Sequence, residues 1–315
     1  MNHPVFAAQP YSGIASFGRL PVASEPAGFD VSIIGIPYDG SVSYRSGTRF
    51  GPRAIREQSL LLWGYNNAQQ VAPFKTLRIA DLGDVDVVPP DIVATHHEIE
   101  RSATRIVTAG STLISIGGDH SISLPLLRAH AKKYGPVAVV HFDAHPDTWD
   151  SEYPGHPYSH GTPFRRAIEE SLIDTTSYVQ IGIRGPTNGP EDYLDAIRLG
   201  ARMITFDEFR RVGMDAVVNE VQSRIGSRPV YVTLDIDAVD PAFAPGTGTP
   251  EVGGFSSYEI LQLVRGLHGL NLVGFDLVEV SPPYDPTNIT AILAANLIFE
   301  FLSLIALQRS QLTKK

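Results

Sequence analysis

The sequence predicts an α/β protein built on a parallel sheet with helices on both faces. Three observations carry that prediction. Short apolar runs alternate with longer segments of helical pattern, the signature of successive βαβ units. The apolar runs are hydrophobic throughout, not at every second residue, as strands are when both faces of a sheet are covered. No internal repeat, low-complexity tract or linker interrupts the pattern, so residues 29–315 are assigned to one domain behind an N-terminal arm, residues 1–28.

The arm is rich in Pro, Gly, Ser and Ala, has no periodicity, and is expected to lie over the surface or reach a neighbouring subunit. Residues 31–36 form the first apolar strand, and a loop with Gly40, Gly47 and Gly51 leads to a helix over 53–63 with Pro52 at its first position. A short strand at 77–80 follows, then a helix from Pro90-Asp91 to 109, a strand at 112–116 and a helix at 124–133. Residues 137–142 are the central strand. After a long loop come a helix at 163–172, a strand at 178–183, a helix at 191–199 and a strand at 202–205. A helix at 215–225, a strand at 230–234, a helix capped by Ser256 or Ser257 and running to 267, and a strand at 272–275 complete the alternation. The last helix, 291–307, is apolar but carries Asn296 and Glu300 and falls short of the roughly 20 residues that span a bilayer. It is expected at the edge of the fold or at a subunit contact, with Asp285-Pro286 as cap and first turn.

Composition narrows the function. A formal charge of -9 with no basic run argues against nucleic acid and anionic membranes as partners. The absence of cysteine removes disulfides, thiolate zinc sites and a cysteine nucleophile. The N-terminal residues lack the charged and apolar regions of a signal peptide, so a cytoplasmic protein is the expectation.

Three strand ends carry the chemistry. The central strand opens into Asp143-Ala144-His145-Pro146-Asp147, and the strand before it ends in Gly117-Gly118-Asp119-His120. A third ends in Asp235-Ile236-Asp237, where period-two geometry is expected to put both aspartates on one side. Open α/β sheets place their ligands at such strand ends. Two imidazoles (His120, His145) and four carboxylates (Asp143, Asp147, Asp235, Asp237) in one cleft would repel and desolvate one another without cations between them. Four negative charges match two dications, and mixed His and Asp ligation suits Mn, Fe, Co, Ni or Zn better than Ca or Mg. His141, inside the central strand, is read as a packed histidine facing the other way.

Gly117-Gly118-Asp119-His120-Ser121, Asp143-Ala144-His145-Pro146-Asp147-Thr148, Ser159-His160-Gly161-Thr162-Pro163-Phe164 and the stretch from Asp235 to Pro250 together resemble the ureohydrolase family of arginase, agmatinase and guanidino-acid amidinohydrolases. The motifs stand in family order, and the resemblance runs from about Asp30 to the C-terminus. It implies a three-layer α/β/α sandwich around an eight-stranded parallel sheet, in agreement with the strands counted above. It also implies His120, Asp143, Asp147 and Asp235 around one metal, and Asp143, His145, Asp235 and Asp237 around the other. Manganese is the metal implied first, nickel second. His160 matches the family's proton-shuttle histidine and Glu279 its guanidinium anchor, which with Asp147 make the expected catalytic set. Family members commonly associate, so a homotrimer or homohexamer is expected.

The chemistry agrees with the residues. A guanidinium carbon is resonance-stabilised, so its hydrolysis needs water made nucleophilic near neutral pH, which a metal pair provides. The leaving amine needs a proton from a group titrating near neutrality. Asp119 and Asp240, beside ligands, are assigned to holding a histidine or a loop end. Trp149, Asp150, Tyr158 and Thr249 are placed against the substrate. Asp150 and Glu152 favour a cationic tail such as agmatine's. The aromatics Trp149, Tyr153 and Tyr158 favour a shorter one, such as guanidinopropionate, guanidinobutyrate, guanidine or an alkylguanidine. The first loop, 43–52, resembles the agmatinase and guanidino-acid branch more than arginase. Arg45 there is a candidate for meeting a substrate carboxylate, though a structural arginine is the simpler reading. Arginase's pattern for an α-amino acid head is not evident around 184–192. Agmatine is the first choice. A deacetylase on the same fold is disfavoured by the paired ligand motifs, and a non-catalytic family subunit by the presence of all six ligands.

Overall fold

The computed structural model describes residues 9–312, so residues 1–8 of the predicted arm lie outside the described residues. Eight strands form one sheet: β1 (Val31–Gly35), β2 (Ile79–Asp84), β3 (Thr112–Ile116), β4 (Val137–Phe142), β5 (Ile173–Ile183), β6 (Arg202–Thr205), β7 (Pro229–Asp235) and β8 (Asn271–Val278). Their spatial order is β2-β1-β3-β8-β7-β4-β5-β6, and every pairing is parallel. The last two strands therefore fill the centre, between β3 and β4.

Ten α-helices among the described residues pack around it: α1 (Gly51–Ser59), α2 (Pro73–Thr76), α3 (Ile92–Thr108), α4 (Ser123–Tyr134), α5 (Pro163–Glu169), α6 (Glu191–Arg198), α7 (Phe206–Val212), α8 (Met214–Ile225), α9 (Ser257–Arg265) and α10 (Ile289–Leu312). Successive side chains of β4 alternate between two cores, as the pleat requires. Val137 and Val139 face α3, α4 and α5 through Ile99, Leu127 and Phe164. Ala138, Val140 and Phe142 belong to the core under α8, α9 and α10, with Val221, Leu263 and Phe301. The result is the three-layer sandwich expected from the sequence.

Several boundaries moved. Helix α1 starts at Gly51 and ends at Ser59, where the Ser59 hydroxyl donates to the Arg56 carbonyl and the next residues turn with i→i+3 bonds. β5 and β8 are longer than the apolar runs because polar residues extend them. Helix α7 was missed altogether: β6 feeds into it directly, with Thr205 capping Glu208. Asp285 is not the cap residue of α10. It accepts from the backbone of Thr290 at 2.6 Å across a turn, and Pro286 stays outside the helix.

Helix α10 is long and apolar enough to cross a membrane, but most of it is buried inside the fold. Leu297, Ile298, Phe301, Leu302 and Ile305 are all under 2% exposed, and each such burial contributes about 1.5–3 kcal/mol. Glu300 is satisfied by Asn66, Gln69 and Arg265, so the helix is a buried element of the fold, the first of the two places the sequence offered it. The described part of the arm also stays with its own chain. Phe17 and Leu20 are buried, and Pro21 and Ala23 exchange backbone hydrogen bonds with Asp81, covering the edge strand β2.

Candidate metal centre and substrate pocket

The four central strands β3, β8, β7 and β4 lie side by side, and each delivers functional residues from its C-terminal end. His120 follows β3, Glu279 follows β8, Asp235 and Asp237 close β7, and Asp143, His145 and Asp147 follow β4. Gly118 makes the convergence possible. A Cβ there would sit 1.9 Å from the Tyr38 carbonyl oxygen, while its own N–H bonds Ile36 and its carbonyl accepts from Glu279.

The ligand motifs do not work by the pleat. β4 ends at Phe142, and residues 236–238 are already a 3₁₀ turn. Instead, each leading aspartate accepts the backbone N–H two residues on: Asp143 from His145 at 2.6 Å, Asp235 from Asp237 at 2.8 Å, and Asp119 from Ser121 at 3.1 Å. These Asx-type turns curl the chain so that both ligands of a pair face one point. Asp147 completes the β4 loop in a left-handed conformation, φ 47°.

His120 has its tautomer fixed. The Thr233 hydroxyl gives its hydrogen to Asp276 at 2.6 Å, so it can only accept from His120 Nε2 at 2.9 Å. Nδ1 then points its lone pair at Asp147, Asp235 and Asp143 oxygens, 2.9, 3.2 and 3.1 Å away. On the other side, His145 Nδ1 lies 3.0 Å from Asp237 and 3.6 Å from Asp143. Two groups of donor atoms, that of His120, His141, Asp143 and Asp147 and that of Asp143, His145 and Asp237, each lie within 4.8 Å of one another, with Asp143 common to both. A bare imidazole nitrogen facing three buried carboxylates fits a cation between them, and the mixed donor set fits a transition metal.

The charges strain one another without it. Burial and the Asp143 charge push Asp147 up to about 7, and burial with Asp237 and Asp143 raises Asp235 well above the carboxylate range. Burial opposes the charge on Asp143 too, but His141, His120 and His145 hold it well below its ordinary value. His141 thus departs from the sequence reading. It packs against Phe164 as expected, yet its Nε2 meets Asp143 at 2.7 Å and its Nδ1 lies 3.1 Å from Tyr178. Thr233, Asp276, Tyr178 and Ser43 were missed by sequence reasoning. The one available signal was Asp276, a charged residue inside an otherwise apolar strand.

Above this floor, His160 is fixed on both nitrogens. Nδ1 donates to Glu279 Oε1 at 3.0 Å, while the Ser43 backbone N–H points at Nε2, also at 3.0 Å. Burial opposes charge on the ring, but Glu279, Glu152 and Asp147 raise its pKa to about 9. The Ser43 N–H, which needs a lone pair on Nε2, pulls the other way. Glu279 Oε1 also accepts from the His120 N–H at 2.9 Å, leaving Oε2 buried and unpartnered. One oxygen is therefore open to an incoming N–H.

A hollow of about 200 Å³ lies over these groups, lined by Ser43, His145, Asp147, Trp149, Glu152 and Thr249 among others. Thr249 reaches Asp237 at 3.4 Å. Two residues placed against the substrate are elsewhere. Asp150 is exposed and paired with Arg166 at 2.6 Å. Tyr158 packs on His96 and lines a separate hollow with Tyr38, Pro90 and Tyr153, because the loop turns its two tyrosines away from the ligand residues while Trp149 stays beside them. Arg45 stacks on Tyr284 at 4.9 Å, the structural role. Asp119 and Asp240 hold loop ends, at Ser41 and at Gly253-Gly254.

A parallel sheet whose central strand ends converge on paired His and Asp ligands defines a metal-dependent hydrolase. The chain belongs to the arginase family, whose model matches residues 29–303, and is a hydrolase of C–N bonds. It is 46% identical to the guanidinopropionase of Pseudomonas aeruginosa over 94% of this chain and 93% of that one. Identity to the mitochondrial agmatinase of Gallus gallus is 44%, over 95% and 88%. Among solved structures, proclavaminate amidinohydrolase from Streptomyces clavuligerus superposes with a TM-score of 0.92 at 45% identity, covering 95% of this chain and 99% of that one. A Trypanosoma cruzi formiminoglutamase with Mn2+ gives 0.81 at 25% identity, covering 90% and 95%.

Proposed function

We propose that the protein is a binuclear amidinohydrolase that splits a small guanidino compound into urea and an amine, with agmatine, giving putrescine, as first choice. The observation that carries this is the unpartnered Oε2 of Glu279, buried at the end of β8 on a carboxylate whose other oxygen bonds His160. A guanidinium N–H satisfies that oxygen and brings its carbon over the floor. His120, Asp143, Asp147 and Asp235 would hold one metal, and Asp143, His145, Asp235 and Asp237 the other. Manganese is the first candidate and nickel the second, supported by the mixed donor set and by the manganese in the formiminoglutamase. When bound, the pair lowers the pKa of water and so makes a nucleophile available at neutral pH.

The chain's own residues do the rest. Glu279 orients the guanidinium and keeps His160 turned toward it. His160 holds a proton against the buried carboxylates and delivers it to the nitrogen that leaves as the C–N bond breaks. The acidic surroundings favour a cationic substrate over a neutral one. A second reading, a guanidino acid as substrate, is favoured by the 46% identity to a guanidinopropionase. Assembly as a homotrimer or homohexamer in the cytoplasm completes the proposal, supported by the exposed apolar side chains Phe50, Leu61, Trp63 and Tyr65. Urea release across arginine, agmatine, guanidinobutyrate, guanidinopropionate, methylguanidine and guanidine tests the reading. Arginine ranking first would overturn the branch, and no urea from any of them the reaction. Light scattering that returned a monomer at micromolar concentration would overturn the assembly.

A further inference from the structure

One carboxylate in the wall of the hollow is neither a ligand nor paired with a lysine or arginine among the described residues. Glu152 Oε2 accepts the Gly161 backbone N–H at 3.0 Å, and Oε1 lies 3.9 Å from His160 Nε2. Gly161 holds it there. A Cβ at that position would come within 2.6 Å of the Trp149 ring and 2.7 Å of the Glu152 carboxyl carbon, so the three residues close on one another. Glu152 is a fixed part of the wall, with only 17% of its side chain exposed.

Among the described residues no lysine or arginine lines the hollow. The arginines that flank lining residues in the chain are engaged elsewhere. Arg45 lies over the rings of Tyr44 and Tyr284. Arg184 donates to the carbonyls of Gly182, Asp237, Ala238, Glu251 and Val252. Arg166 is held by Asp150 and Glu169. Apart from His145 and His160, the described residues of the wall offer an entering substrate carboxylate no basic side chain, and the fixed Glu152 carboxylate meets it as a like charge in a space partly closed to water. Metals held by the floor would neutralise its aspartates, whereas Glu152 is not among the residues that would hold them.

We propose that Glu152 is the specificity-determining residue for the far end of the substrate: the site takes guanidines whose tail is cationic or uncharged and rejects those ending in a carboxylate. This rests on the amidinohydrolase reading and divides it from the guanidino-acid hydrolases to which the chain is similar. The test is kcat/KM for agmatine, 4-guanidinobutyrate and n-butylguanidine on the metal-loaded wild type and Glu152→Gln. The amide still accepts the Gly161 N–H but carries no charge.

Agmatine is expected to exceed guanidinobutyrate by at least about tenfold in the wild type. With each substrate referred to n-butylguanidine in the same protein, Glu152→Gln reduces that ratio by about tenfold. Independently of any variant, the wild-type ratio shrinks as salt rises toward ~0.5 M. A wild type preferring guanidinobutyrate, or a ratio that neither the substitution nor salt moves, overturns the assignment. If none of the three yields urea, the amidinohydrolase reading falls instead, and calorimetric binding of the same three compounds still shows whether Glu152 selects by charge.

Discussion

Asp143, Asp235 and Asp237 stand at the ends of neighbouring strands and are at most 3% exposed. Asp150 and Glu152 sit on the loop above them, two residues apart, and have opposite fates. Asp150 leaves 75% of its side chain in solvent against Arg166, while Glu152 is turned inward and held against Gly161. The floor is built by redundancy: turn, strand register and hydrogen bonds all require the same placement. The wall is decided by single contacts. A family can therefore keep its reaction while changing its substrate, because only the second kind of residue is replaceable one at a time.

The sharpest way to break this contrast is Asp143→Ala, which removes the ligand common to both clusters. Turnover is expected to fall by roughly 10³-fold or more, with loss of metal from the two equivalents expected per chain, read by urea release and metal analysis. His160→Ala should cost about 10²–10⁴-fold in turnover while both metals remain bound. Unchanged turnover would reduce it to a bystander. Thr233→Val keeps the shape of the strand but removes the acceptor that orients His120. A roughly 10–100-fold loss of metal affinity is expected, seen by competition with a chelator.

A smaller effect concerns the scaffold. Burial drives His130 down to about 4 and His96 down to about 3, so both stay neutral in the folded protein. In the unfolded chain they take up protons below about 6.5. The unfolded state binds more protons between pH 6.5 and 4, so stability is full above that window and falls as the pH is lowered through it. Denaturant midpoints recorded from pH 7 to 4 should decline accordingly, and the replacement of His130 by Gln should flatten the slope. The smallest effect separates the two loop acids: Asp150→Asn should leave kcat/KM for agmatine within about twofold, as befits an exposed ion pair.

What the sequence made legible follows the same division. The eight strands were all readable because each holds a short, mainly apolar stretch between helical segments, and the six ligands because they follow three of those stretches. Their geometry was misread where a turn, not a pleat, sets it: Ile236 does not separate two side chains on a strand but sits inside a 3₁₀ turn. His141 was misjudged because strand alternation gives the face of a side chain but not the reach of an imidazole to Asp143. Nor does sequence spacing show that Tyr158 turns to His96, or that Asp150 finds Arg166. Those contacts depend on how the 149–161 loop folds, and loop acids and aromatics carry no period. Thr233 and Ser43 are small hydroxyl residues whose roles come from what lies opposite them in space.

The position of β8 has a consequence for how the protein is made. The strand at 271–278 is the last to leave the ribosome, yet it belongs between β3 and β7 near the middle of the sheet. Until it arrives, both of those neighbours present an open edge of unpaired backbone, and α10, which covers the same region, is still unsynthesised. A chain halted before residue 271 is left with two sticky borders and an exposed apolar layer, so it is a substrate for chaperones or for aggregation rather than a smaller version of the fold. The same late strand brings Glu279, the residue that turns His160 toward the floor. Completion of the sheet and placement of Glu279 beside His160 are thus a single event, and truncated products are expected to be inert as well as insoluble.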